Sequence, residues 1–156
     1  MRTWCLMDRL WLGSEPDPTQ PLPQHFDVLV LCAEEFQPSK MLANAETRIV
    51  RCPIADSLLY PKEETLALST ARIVAEAIDH GSSVLSTCHM GKNRSALIAA
   101  LALLMLTPMD GVEVIWFIRS RRGAEALANQ RFQEAIRNFG EAKKGKLAGF
   151  TSSLSK

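Results

Sequence analysis

Apolar positions follow two patterns along the chain: short β-prone runs in the first third, and longer stretches with helical spacing beyond residue 60. Thr3–Met7 and Leu10–Leu12 are brief β-prone pieces. After them comes a polar, proline-rich loop over 14–24, through which neither a helix nor a central strand can propagate. Asp27–Cys32 (DVLVLC) and Arg48–Pro53 (RIVRCP) concentrate Val, Ile and Leu as buried strands do, with a variable stretch over 34–46 between them. Pro53 is expected to end the second strand and open a loop over 54–61. Lys62–His80 starts with acidic residues, carries Leu66, Ile73, Ala77 and Ile78 at helical spacing, and is followed by Gly81, which predicts an amphipathic helix.

Ser83–Ser86 returns the chain to a strand. Arg94–Leu106 is apolar on every side and stops before Pro108, which predicts a helix buried in the middle of the domain with its amino end beside Cys88. Asp110 with Glu113 forms an aspartate variant of the capping box and starts a helix to about Arg122. Asn129 caps another, whose stripe is Phe132, Ala135, Ile136 and Phe139 and whose expected stop is Gly140. Residues 141–156, with Lys143, Lys144 and Lys146 and no periodic apolar face, read as a disordered tail behind one domain over 1–140. Strands alternating with helices, without internal repeats, give an α/β domain with a partly parallel sheet.

Composition narrows the function classes. The 156 residues are 47% apolar, enough for one core without disulfides or metals. Eighteen basic against seventeen acidic residues give no global preference for nucleic acid or an anionic membrane, so any anion preference must be local. Cys5, Cys32, Cys52 and Cys88 form no CxxC pair and no metal-like grouping with the three histidines, which favours reduced thiols and a cytoplasmic protein. Asp8 and Arg9 interrupt the stretch where a signal peptide would need unbroken apolar residues. The most apolar run, Ala96–Leu106, falls short of the roughly 20 residues that span a bilayer.

The segment with candidate chemistry is Val84–Leu97, VLSTCHMGKNRSAL. A cysteine at a strand end, a glycine three residues on, an arginine six on and a buried helix directly afterwards are the parts of an anion cradle. His89, Met90, Gly91, Lys92 and Asn93 suffice to curl the backbone so that N–H groups converge, and the helix adds its positive end. Such a field favours a thiolate, so Cys88 is the candidate nucleophile. Arg94 offers a planar fork for two phosphoryl oxygens, and Ser95 a hydroxyl for the sulfur. A phosphate ester also needs a proton on its leaving oxygen, and Asp56, on the loop between Pro53 and Pro61, is the candidate acid.

The run Cys88-His-Met-Gly-Lys-Asn-Arg94-Ser95 resembles the Cys-x5-Arg-Ser/Thr signature of the dual-specificity branch of the cysteine-dependent protein tyrosine phosphatases. LWLGSEPDP, DVLVLC, PIADS and ALANQRFQEAI follow the family's order, so the likeness spans about Leu10–Phe139. It implies a single domain with a mixed central sheet flanked by helices, a phosphocysteine intermediate and no cofactor or metal. The expected partner is a phosphorylated protein or small phosphorylated molecule, and the balanced charge and short apolar run lead us to expect no nucleic acid and no membrane insertion. Phosphotyrosine and phosphoserine or threonine are the expected targets, since no long insertion is visible to build a deep pocket. By the same resemblance Arg122, the second arginine of an R-x-x-R stretch, is expected to reach a further phosphate or the substrate rim. One departure is Thr87, where the family usually has the histidine that supports the loop and helps set the thiol's acidity.

Other readings stand beside this one. Thr87 keeps open a phosphate-binding docking module without turnover, although binding alone needs neither Cys88 nor Asp56. Lys92 raises phosphoinositide or RNA 5′-phosphate substrates, because an added positive charge suits multiply charged groups. A sulfur-transfer enzyme is weakened by the Arg94-Ser95 pair and the separate acid. Cys5, Cys32 and Cys52 read as apolar fillers.

Overall fold

In the computed structural model, which describes residues 1–43 and 46–154 with 147–154 by backbone alone, the β-prone runs all become strands. They are β1 (Thr3–Met7), β2 (Leu10–Gly13), β3 (Val28–Ala33), β4 (Arg48–Ile54) and β5 (Val84–Thr87). Strand order in the sheet is β1-β2-β5-β3-β4. β1 runs antiparallel to β2, while β2, β5, β3 and β4 are mutually parallel along the sheet. The sheet is therefore mixed, and β5, every residue of which is buried, lies at its centre. Short parallel strands with continuous apolar runs belong in such a covered position.

Among the described residues, four helices complete the fold: α1 (Pro61–Asp79), α2 (Arg94–Leu106), α3 (Gly111–Arg122) and α4 (Gln130–Leu154). Their buried side chains form one cluster with Val28, Val30 and Cys32 of β3. The alternate β3 residues, Leu29 and Leu31, join Leu85 and the loop residues Leu22 and Phe26 on the other face. This is the period-two alternation of a strand with both faces covered. α2 is the axial element: Leu97, Ile98, Leu103 and Leu104 are fully buried, and it touches α1, α3, α4 and the middle strands. Its burial follows from an all-round apolar sequence. Among the described residues, no helix is long and apolar enough to cross a membrane.

Two boundaries differ from expectation. Pro53 lies inside β4 instead of ending it, which is tolerated because β4 is an edge strand. Gly140 does not stop α4, and the segment expected to be a disordered tail continues as helix to Leu154, with 155–156 outside the described residues. Gly140 serves close packing instead. A Cβ there would come within 3.0 Å of the Gly111 nitrogen, and one on Gly111 within 2.7 Å of the Arg137 Cα, so α3 and α4 meet with no room for side chains. One turn further, Lys143 Nζ donates to the Leu104 and Thr107 carbonyls, each at 2.5 Å, and so binds α4 to the end of α2.

Candidate active site

β5 delivers the chain to the Cys88 loop from between its parallel neighbours β2 and β3, and α2 takes the chain away. A crevice at the carboxyl ends of parallel strands is where such sheets place ligands. Cys88 is 3% exposed, and its Sγ lies 3.2 Å from the Ser95 hydroxyl. The Cys88 N–H donates to the Gly13 carbonyl at the end of β2. Gly91 sits at φ 63°, and a Cβ there would stand 2.8 Å from the Gly13 carbonyl carbon and oxygen and 3.0 Å from the Trp4 ring. Both the backbone conformation and the close approach therefore require glycine. Thr87, in place of the usual histidine, donates its hydroxyl to the Val30 carbonyl at 2.8 Å and ties the loop's root to β3.

Arg94 is 5% exposed and held by Glu35, a residue on the loop after β3 that the sequence reading did not single out. Arg94 Nη1 and Nη2 donate to the two carboxylate oxygens of Glu35, the second at 2.7 Å, and Nη1 also donates to the Ile54 carbonyl at 3.3 Å. Arg94 Nε is buried and, among the described residues, has no partner. A guanidinium has five N–H donors, so Nε–H and the second Nη2 hydrogen remain. These two form one edge of the planar group, a fork suited to a tetrahedral oxyanion. Burial opposes the charge of Arg94, but the Glu35 hydrogen bond and the nearby Cys88, Glu35 and Asp56 raise its pKa on balance. The Arg94 hydrogen bond correspondingly holds Glu35 below the ordinary glutamate value.

Asp56 lies on the loop between β4 and α1, where the amide of Asn93 donates to its Oδ2 at 3.1 Å and that of Asn129 to its Oδ1 at 3.2 Å. Cys88, Arg94, Ser95, Asp56 and the loop from His89 to Asn93 are thus gathered in one region. Lys92 Nζ is 3.6 Å from Glu125, and His89, largely exposed, has its Nδ1 3.7 Å from Glu15. Met90 is exposed. Arg122, expected at the substrate rim, turns its donors on the loop itself: Nε to the Gly91 carbonyl at 2.8 Å and Nη2 to that of Met90 at 2.9 Å. Its Nη1 is 3.3 Å from Glu125, and its guanidinium lies 3.6 Å from the Trp4 ring centroid. Burial lowers its pKa. Through these contacts Arg122 braces the loop.

The remaining thiols lie in different settings. Cys32 and Cys52 are fully buried; burial pushes the Cys32 thiol well up and that of Cys52 up to about 11, while Cys5 is exposed. Thiols with raised pKa are poor nucleophiles at neutral pH. Chemically, the Cys88 region combines a sulfur, a hydroxyl beside it, a half-open guanidinium fork and a carboxyl across the loop. A phosphoryl group seated there could meet a nucleophile, an anion clamp and a proton source together.

No family model matches the chain, and no curated protein matches it. Solved structures do. The chain superposes on human DUSP28 with a TM-score of 0.74 at 18% identity, covering 91% of this chain and 95% of that one. It superposes on a mouse protein assigned as a dual specificity phosphatase and complexed with zinc tungstate with a TM-score of 0.78 at 17% identity, covering 93% and 90%. For PTPMT1 the TM-score is 0.75 at 16% identity, covering 95% and 99%. The likeness runs through nearly the whole of both chains in each pair, and the chain has the fold of the dual-specificity phosphatases, whose signature its Cys88–Ser95 segment resembles.

Proposed function

We propose that the protein is a cysteine-dependent phosphatase that hydrolyses phosphomonoesters through a phosphocysteine, acting on phosphotyrosine and on phosphoserine or threonine in proteins. The Cys88 sulfur attacks phosphorus, the bond to the leaving oxygen breaks, and Asp56 gives that oxygen its proton. Asp56 then takes a proton from water as the water oxygen attacks phosphorus and the sulfur leaves, with the Ser95 hydroxyl donating to the departing thiolate. Arg94 holds two phosphoryl oxygens throughout. The Cys88 loop and the amino end of α2 supply the rest of the anion site. Substrates are phosphorylated proteins or small phosphorylated molecules, and no cofactor enters the cycle.

The observation that most supports this reading is the open edge of Arg94. A buried arginine whose Nε has no partner among the described residues, at the start of the helix that follows a cysteine 3.2 Å from a serine hydroxyl, is a costly arrangement unless an anion completes it. The test is release of phosphate from p-nitrophenyl phosphate and from a phosphotyrosine peptide by wild type, Cys88→Ser and Asp56→Asn. Cys88→Ser should abolish turnover of both. Asp56→Asn should cost the peptide about 100-fold, within the usual range for a general acid, and p-nitrophenyl phosphate less, because its leaving group needs less protonation. Turnover that survives Cys88→Ser would refute the proposal.

A further inference from the structure

The side chain of Asn129 is fully committed. Its Oδ1 accepts from the backbone N–H groups of Arg131 (3.0 Å) and Phe132 (3.4 Å), the ordinary work of a helix cap. Its Nδ2 spends one hydrogen on Asp56 Oδ1 at 3.2 Å and the other on the Ser57 carbonyl at 3.0 Å. Capping alone uses none of the amide hydrogens. Asn93, the last residue before α2, mirrors it: Nδ2 donates to Asp56 Oδ2 at 3.1 Å, while Oδ1 accepts from the Asn129 backbone N–H at 3.3 Å. Two neighbouring amides, 36 positions apart in sequence, therefore grip the two oxygens of one carboxyl. A third connection, the Leu127 N–H to the Lys92 carbonyl at 2.9 Å, fastens the same α3–α4 turn to the Cys88 loop.

This geometry suits a carboxyl that must deliver a proton in one direction. Each carboxyl oxygen has room for two hydrogen-bond contacts. With one position on each oxygen taken by an amide, the group cannot rotate freely, and the remaining positions are left for the transferable proton. A freely turning aspartate on an exposed loop would lose much of the advantage of a positioned acid.

We propose that Asn93 and Asn129 form a two-amide clamp orienting Asp56 toward the leaving oxygen, which makes Asn129, 36 positions beyond Asn93 in sequence and hydrogen-bonded to it, a positioning residue for proton transfer. The inference rests on the phosphatase reading above. It separates α4's capping residue into two functions that mutation can pull apart. Serine caps a helix about as well as asparagine, yet it has no amide to hold Asp56.

The experiment compares wild type, Asn129→Ser, Asp56→Asn and the double variant on a phosphotyrosine peptide and on p-nitrophenyl phosphate, with thermal unfolding of each. Asn129→Asp is the second variant, since it too can cap the helix while replacing the donor by an acceptor. Asn129→Ser should melt near wild type and lose about tenfold in kcat on the peptide, with a smaller loss on p-nitrophenyl phosphate. In the Asp56→Asn background the same substitution should add no further discrimination between the substrates. Equal losses on both substrates, or an undiminished selective loss without Asp56, would overturn the clamp while leaving the phosphatase reading intact. Wild type without Cys88-dependent turnover would overturn both.

Discussion

At the scale of single residues, Arg94 is fixed in its plane by the two carboxylate oxygens of Glu35, and the loop before it is braced by Arg122. Cys88, Gly91, Arg94 and Ser95 were legible because one loop joined to one helix fixes their relation, so a run of eight residues carries the geometry. Asp56 drew attention as a carboxyl on a proline-flanked loop, and the structure places it within hydrogen-bond reach of Asn93 at the end of the Cys88 loop. Glu35 gave no such signal. It sits 59 positions from Arg94, and nothing in a solvated loop glutamate announces a partner on another element. For Arg122 the resemblance implied a reach to the substrate rim, and the structure adds that it is largely buried and donates to the Gly91 and Met90 carbonyls of the loop. The Glu35 pairing predicts that Glu35→Ala will lower kcat/KM for p-nitrophenyl phosphate about tenfold, because buried Arg94 donors lose the partner that fixes their plane. A gain in kcat/KM would mean that Glu35 competes with the substrate for Arg94 instead of orienting it.

At the scale of elements, periodicity located every strand and helix, and errors fell at their ends. Pro53 could be read as a stop only by ignoring which strand would lie at the edge, and Gly140 only by ignoring a helix packed against it. Both are tertiary facts that a local pattern does not contain. One junction ties strand packing to pH. The Asp27 carboxylate, just before β3, accepts from the Ser83 backbone N–H at 2.6 Å and from its hydroxyl at 2.8 Å, just before β5. These bonds, the backbone one first, together with His25, hold Asp27 below the ordinary aspartate value. A depressed carboxyl contributes stability above its unfolded pKa, and that contribution fades as pH falls through the lower folded value. Asp27→Asn should therefore be less stable than wild type at neutral pH, by on the order of 1 kcal/mol or less given its partial exposure. The gap should start to close below about pH 4 and keep narrowing as pH falls through the lower folded value. Chemical denaturation at pH 7 and pH 3 checks this, and a gap that persists unchanged at pH 3 would show that the charge is irrelevant.

At the scale of the whole molecule, one mixed sheet brings residues distant in sequence to the end of its central strand. The loop after β3 supplies Glu35, the loop after β4 supplies Asp56, β5 leads to Cys88, and the α3–α4 connection supplies Asn129 and the brace around Arg122. The parallel order of β2, β5, β3 and β4 makes this convergence possible, because those strands all point their carboxyl ends the same way. The same architecture recurs in solved dual-specificity phosphatases despite 16–18% identity, which fits a fold held by the pattern of its apolar positions. The most direct test of the account is to mix the protein with a phosphotyrosine peptide, quench in acid within a single turnover, and locate any covalent phosphate by peptide mass. One phosphate is expected on Cys88, lost in Cys88→Ser together with turnover; phosphate release that proceeds in Cys88→Ser, or a phosphate carried by any other residue, would contradict a phosphocysteine mechanism.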